Sequence, residues 1–183
     1  MPTYNSTICR QCPYHPGGPL ALPPTTRAHQ PLAIEQRGSD VLIVARAPGV
    51  DEWEDGHPLI SPNPQSAAHR LRKSWLRIGK NRQDYDITNA VLCYPGKPPS
   101  SPDGKPPRDN PPDAVALVQC RHWLQGTINS GRYRKIVTLG DEARAAVVAC
   151  GLPSGVNVVS VPHPSSGRLF NSALVECPRS FWT

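Results

Sequence analysis

The stretch Val41-Leu42-Ile43-Val44 is a short apolar run of mostly β-branched residues. Runs of this length and composition are typical of strands that are buried on both faces of a parallel sheet. Three later segments are also predicted as strands, namely residues 86–92 (DITNAVL), 135–140 (KIVTLG) and 156–161 (VNVVSV). The chain is therefore expected to be built around a sheet of four strands.

Helices are predicted between these strands. From residue 66 to residue 78, basic residues separate apolar side chains that recur at helical spacing, namely Ala67, Leu71, Trp75 and Ile78. Residues 113–128 are also predicted as a helix, and Asp141 is predicted to cap another that runs to about Cys150. Strands that alternate with helices indicate a parallel sheet covered on both faces. The predicted fold class is α/β, a three-layer α/β/α arrangement with a central, mostly parallel four-stranded sheet, in a single domain over residues 1–183.

Three loops follow the predicted strands, at residues 45–59, 88–94 and 162–171. In parallel sheets the functional loops lie beyond the carboxyl ends of the strands, so we expect these three to converge on one site. Residues 95–112 form a polar, proline-rich insertion. Proline lacks a backbone N–H and fixes φ, so this insertion is predicted to be a loop without regular structure.

The chain carries 20 Lys and Arg against 14 Asp and Glu, a formal net charge of +6. This modest excess fits a polyanionic partner better than an acidic one. The basic residues concentrate in the helix predicted at 66–78, which is compatible with a solvated surface or with phosphate contacts; the candidates are Arg70, Arg72, Lys73 and Arg77. No apolar run reaches the length of a membrane span, and the first residues lack the pattern of a signal peptide. We therefore expect a cytoplasmic, monomeric protein with no membrane contact.

Four cysteines are placed as potential ligands of one metal site. Cys9 and Cys12 form a C-x-x-C pair, Cys93 follows a predicted strand, and Cys120 lies in a predicted helix. Soft metals and iron–sulfur clusters prefer four thiolates, but structural zinc uses C-x-x-C pairs as well. Disulfides are disfavoured because they require an oxidising compartment. The spacing leaves zinc and an iron–sulfur cluster open. Two further cysteines are interpreted as ordinary thiols, Cys150 and Cys177.

An ordered set of motifs supports a more specific interpretation. The set comprises residues 45–52 (ARAPGVDE), 56–59 (GHPL), 88–93 (TNAVLC), 136–140 (IVTLG) and 163–165 (HPS). In order and spacing it resembles the motifs of the iron–sulfur, family 4 uracil-DNA glycosylases, over roughly residues 9–170. The resemblance implies that family's fold, a DNA substrate in single- or double-stranded form, and a prokaryotic or phage origin. It also implies a 4Fe-4S cluster held by Cys9, Cys12, Cys93 and Cys120.

The resemblance also assigns roles to residues. Releasing a base from DNA requires flipping it into a pocket, and cleavage leaves an oxocarbenium-like sugar and an anionic base. Glu52 matches the family's catalytic carboxylate, with Asp51 as the alternative, although this acidic stretch is also compatible with a solvated loop. Asn89 is expected to pair with the edge of the pyrimidine, and His163 to donate a hydrogen bond to its O2. Because no lysine occupies a matching catalytic position, a monofunctional glycosylase is expected.

The chain departs from the family pattern where the base would bind. Arg46 stands where most of these enzymes carry glutamate, beside the wall facing pyrimidine C5, and Leu59 stands where a phenylalanine stacks on uracil. With Ala47, these residues are expected to contact the base. Contacts to DNA are expected from Ser165, Arg168 and Leu169. The departures leave open whether the substrate is uracil, in repair, or a bulkier modified pyrimidine such as those of phage DNA, in antiviral defence. A catalytically inactive DNA-binding paralogue and a zinc protein without base chemistry are the alternatives.

Overall fold

Four parallel strands form the centre of the computed structural model, which describes residues 5–21, 30–99, 108–130, 132–176 and 179–183. The strands are β1 (Val41–Ala45), β2 (Asp86–Asn89), β3 (Lys135–Leu139) and β4 (Asn157–Val161). Their order in the sheet is β2-β1-β3-β4, and each neighbouring pair is parallel. The predicted number and positions of the strands are confirmed.

Helices cover both faces of this sheet. They are α1 (Thr7–Arg10), α2 (Val50–Asp55), α3 (Ala67–Leu76), α4 (Ala114–Ile128), α5 (Asp141–Ala149) and α6 (Gly167–Glu176). Because successive side chains of a strand point to opposite faces, Ile43 packs with residues of α3 and α6, whereas its neighbours Leu42 and Val44 pack with residues of α4 and α5. The result is the predicted three-layer α/β/α fold. None of the helices in the described part of the chain is both long and apolar enough to cross a bilayer.

Two boundaries differ from the sequence-based expectation. β2 ends at Asn89 and not at Leu92. The backbone N–H of Ala90 still donates to the carbonyl of Ala45 at 2.8 Å, so the apolar residues that follow stay beside β1 although they lie outside the strand. Helix α5 is capped by Gly140, and Asp141 is its first helical residue. Gly140 has φ of +90°, a conformation that side chains other than glycine rarely adopt.

Two of the predicted loops contain helices. α2 lies within the segment 45–59, and α6 begins in the segment 162–171. α2 is held at its start by the carboxylate of Glu52, which accepts from the backbone N–H of Gly49, and it ends at Gly56 with φ of +94°. These glycines and the clustered acidic residues resemble a loop in sequence, whereas here they serve as the start and end signals of a short helix.

The proline-rich insertion is irregular in its described parts, residues 95–99 and 108–112, as predicted. Its two ends lie side by side. The backbone N–H of Asn110 donates to the carbonyl of Gly96 at 2.9 Å, and its side-chain amide donates to the carbonyl of Pro95 at 3.2 Å. The last residues of the insertion therefore lie beside its first residues, close to the end of β2.

Asp86, at the start of β2, is fully buried and accepts four hydrogen bonds. The donors are the backbone N–H groups of Arg37 and Ser39, the guanidinium of Arg132 and the hydroxyl of Tyr133, at distances of 2.7 to 3.1 Å. Asp86→Ala leaves these donors without their acceptor, so we expect the free energy of unfolding to fall by about 3 kcal/mol. Denaturant unfolding measures this change, and a midpoint equal to that of the wild type would contradict it.

Candidate active site

A cavity of about 770 Å³ opens at the carboxyl end of the sheet. Its walls come from the segment after β1, the turn after β4 and the two ends of the proline-rich insertion. It brings together seven of the residues singled out from the sequence: Arg46, Ala47, Asp51, Glu52, Leu59, His163 and Ser165. The expected convergence is thus observed for the first and third loops, whereas no residue of the second loop, 88–94, lines this cavity.

Glu52 is the most tightly held carboxylate of this cavity. Its Oε2 accepts the backbone N–H of Gly49, and its Oε1 accepts that of Leu59. Burial raises the pKa of Glu52 to about 7; the two N–H groups oppose the rise, Asp109 adds to it, and Arg82 opposes it. Glu52 thus lies on a helix and not in a solvated loop, and it exchanges its proton near neutral pH. Its neighbour Asp51 accepts a hydrogen bond from the hydroxyl of Ser61.

His163 is fixed in one tautomer by Ser165. Its Nδ1 lies 3.2 Å from the backbone nitrogen of Ser165 and 2.8 Å from the hydroxyl oxygen of that residue. A backbone N–H can only donate, so Nδ1 accepts and the neutral ring carries its hydrogen on Nε2. Burial lowers the pKa of His163 to about 4, with the charge of Arg46 adding to the effect and Glu142 opposing it. At neutral pH the ring is a neutral hydrogen-bond donor.

Arg46 and Leu59 are both constrained. Arg46 forms an ion pair of 3.2 Å with Glu142 at the start of α5. Leu59 has φ of +53°, the one positive value outside glycine among the described residues, and its side chain is buried in the core. Arg82 donates to the carbonyl of Leu59 at 2.7 Å and forms an ion pair of 2.6 Å with Glu35. The sequence did not distinguish Arg82 from the other basic residues near it.

Asn89 lies at the end of β2, beside Ala45 of the cavity wall. The residue is buried, and neither its amide oxygen nor its amide nitrogen has a hydrogen-bond partner in the described part of the protein. Leaving a buried polar group without a partner costs about 1–3 kcal/mol. Asn89 is not among the residues that line the cavity, and its amide keeps unused donor and acceptor capacity beside the cavity wall.

The predicted DNA-binding residues divide into two groups. Arg70 is partly buried, and its guanidinium donates to the carbonyls of Pro164 and Ser165 at 2.9 and 3.4 Å. It supports the turn that carries His163. The remaining candidates are exposed on α3 or in the first turn of α6: Arg72, Lys73, Arg77, Arg168 and Leu169.

The four candidate cysteine ligands are buried in one apolar cluster at the side of the cavity that carries α2. Cys9 lies in α1 with Cys12 just after it, Cys93 follows β2, and Cys120 lies in α4; none of the four forms a disulfide. Burial raises the pKa of Cys120 to about 12, and the neighbouring Cys12 and Cys9 add to the rise. The described residues hold no group of three or more His, Cys, Asp or Glu arranged around one metal ion. The four thiols are nevertheless the type of donor that soft metals prefer.

The other two cysteines have different surroundings. Cys150 is buried in the cluster formed by α4 and α5, where its thiol lies 3.2 Å from the carbonyl of Ala146. It is separate from the four-cysteine cluster, in agreement with its interpretation as an ordinary thiol. Cys177 lies outside the described residues.

Three residues of the cavity wall were missed by the sequence analysis because they belong to the insertion. Lys97, Arg108 and Asp109 line the cavity, with Asp109 close to Gly49 at the start of α2. The carboxylate of Asp109 accepts a hydrogen bond of 3.0 Å from the hydroxyl of Tyr94. No pattern in an irregular segment indicates where its side chains lie, so the sequence carried no signal for them.

Comparison with known proteins agrees with this geometry. The family model of the uracil DNA glycosylase superfamily matches residues 33–176, which include the whole sheet and the cavity. A type-4 uracil-DNA glycosylase of Pyrobaculum aerophilum is 28% identical over 132 residues, which cover 72% of this chain and 55% of that protein. The chain thus spans about half the length of this curated relative. The family match and the four-stranded parallel sheet with its cavity together establish that the chain belongs to the uracil-DNA glycosylase superfamily.

Proposed function

We propose that the protein is a monofunctional DNA glycosylase that hydrolyses the N-glycosidic bond of a flipped pyrimidine in DNA. The observation that carries this proposal is the presence of the Glu52 carboxylate and the neutral His163 donor in one cavity. A carboxylate stabilises the positive charge that develops on the sugar, and a neutral donor stabilises the negative charge that develops on the base. The two groups meet both electrostatic demands of the reaction.

Both groups are oriented by backbone N–H groups. The two backbone N–H groups that bind Glu52 fix its orientation, so little reorganisation is needed as charge develops. His163 carries its hydrogen on Nε2 because Ser165 donates to Nδ1. The unpaired amide of Asn89 supplies one donor group and one acceptor, which match the mixed edge of a pyrimidine.

The substrate that we propose is uracil or a bulkier modified pyrimidine. The cavity has a volume of about 770 Å³ and a wall that includes the charged Arg46, and Leu59 supplies no aromatic face for stacking. These features support a substituted base such as those of phage DNA. Under this proposal the protein acts in antiviral defence, whereas excision of uracil alone would assign it to base excision repair.

The proposed cofactor is a 4Fe-4S cluster held by Cys9, Cys12, Cys93 and Cys120. Their burial in one apolar cluster, with none of them in a disulfide, supports the proposal, since thiolates are the ligands that these clusters use. Bound there, the cluster would supply a structural link between α1, the end of β2 and α4. The catalytic roles above do not depend on it.

The exposed basic residues of α3 are proposed to contact DNA phosphates. We expect Arg72→Ala to weaken binding to all DNA sequences and to reduce the slope of log affinity against log salt by about one unit. The matched control is Arg134→Ala on the amino-terminal side of β3, because Arg134 is also exposed and pairs with Asp40 away from the cavity. Salt titrations of DNA binding measure both variants. Equal slopes for Arg72→Ala and the wild type would identify α3 as a solvated surface.

The proposed activity is tested by measuring base release and abasic sites on defined oligonucleotides. The substrates should contain uracil, hydroxymethylcytosine or glucosylated hydroxymethylcytosine, in single and double strands. Preferential release of the bulkier bases supports the interpretation of Arg46 and Leu59, and strict preference for uracil contradicts it. DNA binding without release of any base would favour the inactive paralogue.

A further inference from the structure

Besides Asp51 and Glu52 of α2, the cavity is lined by a third carboxylate. Asp109 belongs to the proline-rich insertion, yet it lines the same cavity as Glu52 and His163. A Cβ built on Gly49 would lie 3.3 Å from Asp109 Oδ2 and 3.5 Å from Glu52 Oε2. The two carboxylates thus approach the same side of Gly49, which has no side chain to separate them. They form a pair across the start of α2.

The position of Asp109 is fixed by contacts on both sides of the residue. Its Oδ1 accepts a hydrogen bond of 3.0 Å from the hydroxyl of the buried Tyr94. The next residue, Asn110, makes two hydrogen bonds to the start of the insertion, at the carbonyls of Pro95 and Gly96. A carboxylate on a loop that is held in this way is pre-organised, as a group that acts on a substrate must be.

The two carboxylates differ in what they can do. Both oxygens of Glu52 accept backbone N–H groups, which fixes the orientation of this carboxylate and engages both of its oxygens. The hydrogen bond of Asp109 to Tyr94 uses Oδ1, whereas Oδ2 is directed toward Gly49 and the cavity. Asp109 therefore has an oxygen that can accept a hydrogen bond from a water molecule in the cavity, whereas both oxygens of Glu52 are already engaged.

We propose that Asp109 is a catalytic residue that activates the water molecule in base release. This inference rests on the proposed glycosylase function. The bond between C1′ of the sugar and the base nitrogen breaks, and its electron pair passes to the base. The water oxygen forms the new bond to C1′, and the water proton passes to the carboxylate of Asp109. Asp109 then returns this proton to the departing base anion or to solvent, which balances the hydrolysis.

Several charged groups influence the pKa of Glu52 or line the same cavity. Asp109 raises the pKa of Glu52 and Arg82 lowers it. The other charged or titratable groups that line the cavity are Arg46, Asp51, Lys97, Arg108 and His163. Removing the charge of Asp109 takes one negative charge from the surroundings of Glu52, so Glu52 should lose its proton at a lower pH.

Asp109→Asn tests the assignment, since asparagine keeps the size of the side chain and an acceptor for Tyr94. In single-turnover assays with saturating protein, we expect the rate of base release to fall about 100-fold, with DNA affinity little changed. The acidic limb of the pH–rate profile should also move to lower pH. The matched control is Asp55→Asn, which removes an exposed carboxylate of α2 that contacts His57 and does not belong to the cavity wall.

The outcomes separate this inference from the function on which it rests. A wild type that releases no base overturns both. An active wild type together with an Asp109→Asn variant that keeps its rate and its pH profile overturns the role of Asp109 alone. The role of Asp109 is also overturned if Asp109→Asn loses rate without a shift of the acidic limb and Asp55→Asn loses rate equally. A general effect of removing one negative charge would then account for the slower base release.

Discussion

Replacing Glu52 by glutamine is expected to slow base release by about 100-fold or more, the usual cost of removing one electrostatic stabiliser from an active site. Glutamine keeps the shape of the side chain but lacks the charge that would oppose the cationic sugar. It also places an NH₂ group against one of the two backbone N–H donors, at Gly49 or at Leu59. Single-turnover kinetics isolate the chemical step from product release.

The pH dependence of the wild type gives an independent measure of the same group. Glu52 has a raised pKa of about 7, so the carboxylate form, and with it the rate, should increase as the pH rises through neutrality. His163 has a lowered pKa of about 4 and stays neutral over this whole range. The acidic limb therefore belongs to Glu52, and Glu52→Gln should remove it.

Glu54→Gln is the matched control for this experiment. Glu54 is exposed and lies on α2 only two residues from Glu52, so its loss changes the net charge by the same amount outside the cavity wall. Its rate should stay within about twofold of the wild type, as is usual for a surface substitution. If Glu52→Gln keeps full activity, the carboxylate that stabilises the cationic sugar must be Asp51 or Asp109 instead.

Strands β1 and β3 could be predicted from sequence because burial on both faces leaves an apolar run. The same signal misplaced the end of β2, since residues 90–92 are apolar for another reason: they are buried beside the segment that follows β1. Helix α2 was hidden by the glycines at its ends and by its acidic residues, which suggest a loop until the capping contacts of Glu52 are known.

The site was predictable only as far as the motifs extend. Glu52 and His163 belong to short patterns, and the structure places both in the cavity. Asp109 belongs to no pattern, and its location depends on how Asn110 binds the start of the insertion. Arg70 and Arg72 are equivalent in sequence, yet the first supports the turn of His163 and the second is exposed. Tertiary contacts decide such differences, and they cannot be read from local spacing.

Replacing Cys120 by serine is expected to remove the proposed cluster and to destabilise the protein strongly. The four cysteines join α1, the end of β2 and α4, and a metal centre bound by such ligands contributes its binding energy to folding. We expect the wild type, purified without oxygen, to contain iron and to show a broad absorption band at about 400 nm. Cys120→Ser should lose this band and the iron, and should unfold at a much lower temperature.

Cys150→Ser makes this experiment decisive, because it introduces the same substitution at another buried thiol of the same face of the sheet. Cys150 contacts the carbonyl of Ala146, a contact that a serine hydroxyl can also make, so this variant should keep its iron, its absorption band and most of its stability. If the purified wild type contains zinc and no iron, the four thiols form a zinc site and not an iron–sulfur site. If Cys150→Ser loses the band while Cys120→Ser retains it, the ligand assignment is wrong, because burial among neighbouring thiols would then not have identified the residues that bind the metal.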